Sequence, residues 1–438
     1  MVIFITLVAI IVVAFFVLSR KEKPPKSQNN RLNTGTIDDK NIKIVHVTDI
    51  HYLSPSLTDY GKSFVDTIEK SDGKMMRHID QIMDAFVLEM IRTKPDLVIV
   101  SGDMTYNGEK ESHIGLANKF KILKDKGIKV LVLPGNHDLE NEMALAFEGD
   151  ATRPVETVTI EEFEEIYKDY GYGKDDPDVV SRDKKSLNYV YQLGNKCHLI
   201  MVETSTKGND QTISNSSYRW IEKWLRKAKD MNMRVIGVSH QNILAHNKLF
   251  IAGYKIINSS RLVDLYNKYN VRINLSGHMH IQHMAEHKRV HDIALACLGL
   301  YPNLYGVLDM DLRNNMTYHT ESLDVAYWMK KYKHQDSDLL DFQNTSREYF
   351  VRCTRLQTEK QVAKLDLSKE DKEMMMDFMV DTNIHYFSGS LDKRPDLSLD
   401  NPAYKLWMDH CERTFTGSYL NSIYTDTISD HNRLEIFQ

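Results

Sequence analysis

The sequence predicts a layered α/β domain followed by a helical one. Three observations carry that reading. Apolar runs of strand length alternate with amphipathic stretches of helix length from Asn41 onward; five of those runs end in a loop bearing a metal-capable side chain; and from Ser322 helical patterns replace strand patterns. At 438 residues the chain is long for a single core, so two folded units are expected, residues 41–321 and residues 322–438.

The N-terminus stands apart. Val2 to Leu18 is apolar except for Thr6, and a charged, proline-bearing stretch follows it. This predicts a membrane anchor or signal segment over residues 1–19 and a linker over 20–40, hence a membrane-anchored or secreted protein. The side of the membrane stays open, because the basic residues follow the apolar run whereas a secretory signal places them before it.

The folded chain begins with a strand over Ile42 to Val47. A helix is expected from Asp72 to Thr93, with Ile79, Ile82, Met83, Phe86 and Met90 on one face and Pro95 marking its end. Leu97 to Val100 is the next strand, Asn107 to Lys126 the next helix, with Gly127 after its last turn, and Ile128 to Leu133 the third strand. Leu139 to Asp176 interrupts this rhythm with acidic residues and with Phe163, Tyr167, Tyr170 and Tyr172, read as core aromatics. A hairpin around Gly194-Asn195, a helix over Tyr218 to Met231, a strand over Met233 to Val238, a helix around Ser260 to Tyr269 and two strands within Val290 to Leu312 complete the domain. Beyond it, helices are expected over Asp324–Lys333, Asp338–Leu356, Lys369–Tyr386 and Pro402–Asn421, the last with Pro402 at its first position.

Composition excludes some functions. The net charge of -5 gives no basic footprint for long nucleic acid, and the four cysteines are too dispersed to form a ligand cluster. The strand ends are more informative. They deliver Asp49 and His51, then Asp103, then Asn136, His137 and Asp138, then His240, then His278 and His280. Asp49 and His51, two apart, point the same way in extended chain and can share an ion. Mixed nitrogen and oxygen donors suit manganese, iron or zinc. Glu109, Glu111, Glu140 and Glu142 follow the ligand-bearing strand ends and make a candidate acidic rim, which would disfavour a doubly charged monoester. Tyr52, Tyr106 and Tyr301 are candidates for contact with an organic group of the substrate.

The blocks Asp49-x-His51, Gly102-Asp103, Gly135-Asn136-His137-Asp138, His240 and Gly277-His278-x-His280 resemble the calcineurin-like metallophosphoesterase superfamily, and most closely its bacterial cyclic-nucleotide phosphodiesterase branch. The resemblance implies a two-sheet sandwich flanked by helices. It implies two metal ions, manganese or iron or zinc, one held by Asp49, His51 and His280 and the other by Asn136, His240 and His278, with Asp103 bridging. His137 would act on the phosphate outside the metal shell, with Asp138 as its orienting carboxylate. Glu203 stands where many members have Asp, so no ligand role is assigned to it. The implied activity is hydrolysis of phosphodiesters by a metal-activated hydroxide, with a small cyclic nucleotide as substrate. A phosphomonoesterase or a hydrolase of nucleotide or lipid pyrophosphates is the alternative within the same chemistry, and a membrane-tethered binding or scaffold protein is the alternative outside it. The sequence sets no oligomeric state.

Overall fold

The computed structural model describes residues 40–70, 73–206 and 211–437. The three apolar runs at the start pair with one another in parallel: β1 (Ile42–Val47) with β2 (Leu97–Ser101), and β2 with β3 (Lys129–Leu133). The helices between them are α1 (Ile79–Thr93) and α2 (Lys110–Asp125). α1 buries Ile79, Ile82, Met83, Phe86 and Met90 along one face and stops where Lys94 turns to φ 49° ahead of Pro95. Both helices start later than expected. Met75 has a non-helical backbone and Met76–His78 form a 3-10 turn, while Gly108 at φ 76° breaks the chain before α2.

The stretch after β3 forms a small hairpin, β4 (Leu145–Glu148) with β5 (Ala151–Pro154), then α3 (Ile160–Ile166). α3 starts at a reciprocal cap in which Thr159 and Glu162 satisfy each other's backbone amides. Phe163, Tyr167, Tyr170 and Tyr172 are buried in the main core, as expected of core aromatics.

A second sheet has the order β11-β12-β10-β9-β8-β7-β6, built from β6 (Val179–Arg182), β7 (Tyr189–Leu193), β8 (Cys197–Val202), β9 (Arg234–Ser239), β10 (Ile273–Ser276), β11 (His283–His287) and β12 (Val290–Ala294). Its faces follow the strand period. Cys197, Leu199 and Met201 of β8 turn into the core shared with the first sheet, and Ile200 and Val202 turn outward under α4 (Asn215–Asp230) and α5 (Ser259–Lys268). Trp224 and Leu225 of α4 are buried there, whereas Trp220 is only half-buried. The first sheet is completed by β13 (Leu304–Met310), β14 (Met316–Ser322) and β15 (Arg433–Ile436), in the order β15-β14-β13-β1-β2-β3. Two mixed sheets packed face to face and flanked by helices thus match the expected sandwich.

A distinct helical region follows, with α6 (Val325–Tyr332), α7 (Phe342–Val362), α8 (Lys369–Phe387), α9 (Pro402–Cys411) and α10 (Phe415–Tyr424). The single helix expected over Pro402–Asn421 is two, because Thr414 leaves the helical conformation and caps α10 by accepting from Gly417 N. Met375, Phe378, Met379, Trp407 and Leu420 form a separate core that also takes Ile281 from the sandwich. The region does not end in helix: β15 returns to the sandwich and pairs antiparallel with β14, Met316 opposite Ile436.

The expectation of a membrane-anchored or secreted protein is corrected. No helix among the described residues is long and apolar enough to cross a membrane. Val2 to Leu18, on which that expectation stood, lies outside the described residues.

Candidate metal centre

The functional side chains sit on the loops that leave β1, β2, β3, β9 and β10, each of which pairs in parallel with a neighbour in its sheet. The loops zip together by backbone hydrogen bonds. Asp49 N donates to Gly102 O (3.1 Å), His51 N to Asp103 O (2.9 Å) and Gly277 N to His240 O (3.0 Å). Asp49, His51, Asp103, His278 and His280 all adopt positive φ, between 45° and 69°. Left-handed backbone costs a non-glycine residue roughly 1–3 kcal/mol, so it persists where surrounding contacts impose it, typically at functional sites. Two glycines permit the approach. A Cβ on Gly135 would stand 2.2 Å from Asp103 Oδ1, and one on Gly277 would stand 2.5 Å from Asp49 Oδ2.

Two donor groups result, and they share Asp103. Asp49, His51, Asp103 and His280 form one; Asp103, His240 and His278 form the other, with the ligand atoms within each lying no more than 4.8 Å apart. In the first, His51 Nε2 is 3.1 Å from His280 Nε2, and Asp49 Oδ1 is 3.2 Å from the same nitrogen. In the second, His240 Nε2 is 3.0 Å from Asn136 Oδ1, 3.2 Å from His278 Nδ1 and 3.3 Å from Asp103 Oδ1. Asn136 therefore joins this group in space.

Apart from that of His240, the protonation states favour cations. Burial would push the Asp49 and Asp103 carboxyls up, but the surrounding imidazoles win and hold both below the usual range, Asp103 well below. Burial lowers His51 well below its ordinary value and His278 to about 4, leaving neutral imidazoles. Burial would also lower His240, yet the Asp103 and Asp49 carboxylates hold it up at about 9. Ionised carboxylates among imidazoles packed nitrogen to nitrogen make a donor set that fits divalent ions and lacks only their charge. Each second-group imidazole is also oriented from behind. Ring N–H groups at His240 Nδ1 and His278 Nε2 donate to Ser101 O and Gly253 O, both at 2.9 Å.

His137 stands outside both groups, with Nε2 3.9 Å from Asp103 Oδ2. Its Nδ1 faces two acceptors, Asn107 Oδ1 at 2.8 Å and Tyr106 O at 2.9 Å, so Nδ1 carries the hydrogen and Nε2 is turned toward the centre. Asp138 does not orient it. That carboxylate is fully buried and accepts from Gly135 N (2.7 Å), Thr105 N (2.9 Å) and Met104 N (3.2 Å), which fastens the Asp103 loop to the Asn136 loop. His113 supports the same loop from beneath. Its Nε2–H donates to Asp138 O (2.8 Å) and its Nδ1 accepts from Tyr167 Oη (2.9 Å), below the centre. Glu203, given no ligand role, accepts from Ser205 N and Thr206 N within its own turn. Glu109 is buried and leaves the acidic rim, and Tyr52 is buried with its hydroxyl donating to Asp80 (2.7 Å). Asn107 and Gly253 have positioning contacts that sequence reasoning did not assign; only Asn107 carried a signal, its closeness to the Asp103 strand end.

The model for calcineurin-like phosphoesterases matches residues 42–282. The chain belongs to this family. A second family model, for the C-terminal domain of cyclic nucleotide phosphodiesterase, matches residues 324–430 of this calcineurin-like phosphoesterase. Among its relatives is a protein of Arcobacter nitrofigilis described as a probable glycerophosphodiester phosphodiesterase, 24% identical over 300 residues that cover 66% of this chain and 89% of the relative. Another, a probable cyclic nucleotide phosphodiesterase of Xenorhabdus bovienii, is 23% identical over 57% of this chain and 83% of its own. A dimetal phosphatase from Danio rerio aligns with 64% of this chain and 96% of its own at 12% identity and a TM-score of 0.44. With its paired histidine and aspartate clusters, this calcineurin-like phosphoesterase is a metal-dependent hydrolase.

Proposed function

We propose that the protein hydrolyses phosphodiesters, with small cyclic nucleotides as substrates. The observation that carries the reading is Asp103: one carboxylate reaches both donor groups while His137 offers Nε2 beside it. In this assignment Asp49, His51 and His280 hold one ion, Asn136, His240 and His278 the other, and Asp103 belongs to both. Bound ions would supply Lewis acidity and a neutralising field for the phosphate. The chain's own residues do the rest. His137 presents Nε2 to the phosphate; protonated there, it stabilises the developing charge or delivers the proton to the leaving oxygen. Asn107 and the Tyr106 carbonyl fix its tautomer and its aim. Asp138 keeps the two loops in register without touching substrate.

The choice of cyclic nucleotides is supported by the family model that matches the C-terminal region and by the Xenorhabdus relative. The Arcobacter relative supports a second reading, a glycerophosphodiester substrate. The test is kcat/KM of manganese-reconstituted protein on 3',5'-cAMP, 2',3'-cAMP, glycerophosphodiesters, bis-pNPP and pNPP. A strong preference for one cyclic nucleotide is expected. Preference for pNPP would replace the reading with a phosphomonoesterase, and preference for glycerophosphodiesters would replace the substrate.

A further inference from the structure

A cavity of about 400 Å³ opens beside His280 and is walled on its far side by the helical region. Phe250 and Tyr254, from the segment after β9, face Gln361 of α7, Asn383 and Phe387 of α8, and Phe415 of α10 across it. The rings form a path away from the centre. The Tyr254 ring centroid lies 5.2 Å from that of His278 and 5.2 Å from that of Phe250, and Phe250 lies 6.0 Å from Phe415. Phe415 is 67% exposed, a large apolar face at the cavity that no core packing requires.

The polar lining is uncharged. Apart from His280, no titratable acid or base of the Asp, Glu, Lys, Arg or His type lines the cavity among the described residues. Asn383 Oδ1 accepts from Tyr419 Oη (2.8 Å) and Gln361 Oε1 accepts from Thr416 Oγ1, so each carboxamide is oriented through its oxygen and presents its NH2 as the donor. Aromatic faces with neutral donors suit a flat ring bearing hydrogen-bond acceptors. A second phosphate would enter without a counter-charge, and a quaternary ammonium would meet N–H donors that it cannot use.

We propose that the helical region supplies the specificity pocket, which takes an uncharged heteroaromatic ring carried by the phosphodiester. The inference rests on the phosphodiesterase reading and assigns its recognition to Phe250, Gln361, Asn383 and Phe415.

Two experiments separate the inference from the reading beneath it. Saturation-transfer NMR on metal-free full-length protein, with adenosine, ribose and choline as probes, reads the pocket without turnover. Transfer to the adenine protons, weakened in Phe415→Ala and Asn383→Leu, is expected; stronger transfer to choline, or adenosine transfer indifferent to both variants, would overturn the proposal. On reconstituted protein, the ratio of kcat/KM for adenosine 2',3'-cyclic phosphate to that for ribose 2',3'-cyclic phosphate should fall at least tenfold in each variant. A ratio near one in the parent, with both esters hydrolysed, sinks the pocket and leaves the phosphodiesterase. Adenosine binding that the variants abolish, in a protein inert to every diester, upholds the pocket and sinks the phosphodiesterase.

Discussion

His137 donates from Nδ1 to Asn107 Oδ1 across 2.8 Å, and this contact decides which ring nitrogen faces the metal centre. Replacing His137 by Ala should lower kcat roughly 100-fold or more while both metal equivalents stay bound. Asn107→Ala, which frees the ring without removing it, should cost roughly 10- to 100-fold. Metal content alongside kcat checks both. Loss of metal from the His137 variant would place that residue in the coordination shell instead.

Asp103 is the group common to both donor sets, so Asp103→Asn should empty both sites, not one. Chelator treatment of the parent should lower its Tm, and added manganese should restore it, since ligands that bind only the folded state stabilise by about 2.7 kcal/mol at a hundred times Kd. The substitution should abolish that response. A variant that still titrates two equivalents by calorimetry would mean Asp103 does not bridge.

Gly135 gives a purely steric version of the same experiment. A methyl group there would stand 2.2 Å from Asp103 Oδ1 and 2.3 Å from Asp103 N. Gly135→Ala should therefore weaken metal binding as a carboxylate mutation does, although no ligand atom is altered. Unchanged affinity for both ions would show that the Asp103 loop yields freely.

Glu109 makes stability pH-dependent. Burial, with the Asp138 charge adding to it, pushes its carboxyl up to about 7 from the usual 4.5. Between those values the unfolded chain has lost the proton that the folded chain keeps. Stability should thus fall as pH rises from 4.5 to 7, by roughly 3 kcal/mol from this group, and then level off. Denaturant midpoints for the parent and Glu109→Gln across that window test it; parallel curves would rule the group out.

Asp49 and His280 lie far apart in the chain, and it was the resemblance of their motif blocks to the superfamily that implied a shared ion. The same logic failed for Asp138. Adjacency to His137 suggested a shared task, but the chain reverses there and sends the carboxylate to Gly135 N and Thr105 N instead. Glu109 read as a rim charge because sequence assigns carboxylates to solvent, and only the packed structure shows one without it. The cavity wall was hidden for the opposite reason: Phe387 and Phe415 have the helical spacing of core residues, and spacing does not say that one of them faces open space. β11 and β15, short and polar, carry too little alternation to separate from loop.

The pairing of β15 with β14 has a consequence for biosynthesis. Thr320 meets Asn432 across 112 residues of chain, all of which must be made before the two can touch. At usual elongation rates the interval is on the order of 10 s, during which β14 presents an open edge on a nascent sheet. Slower translation of the helical region lengthens that exposure and favours pairing between neighbouring chains on a polysome. Soluble yield should therefore respond to codon usage between β14 and β15 more than to codon usage earlier in the gene.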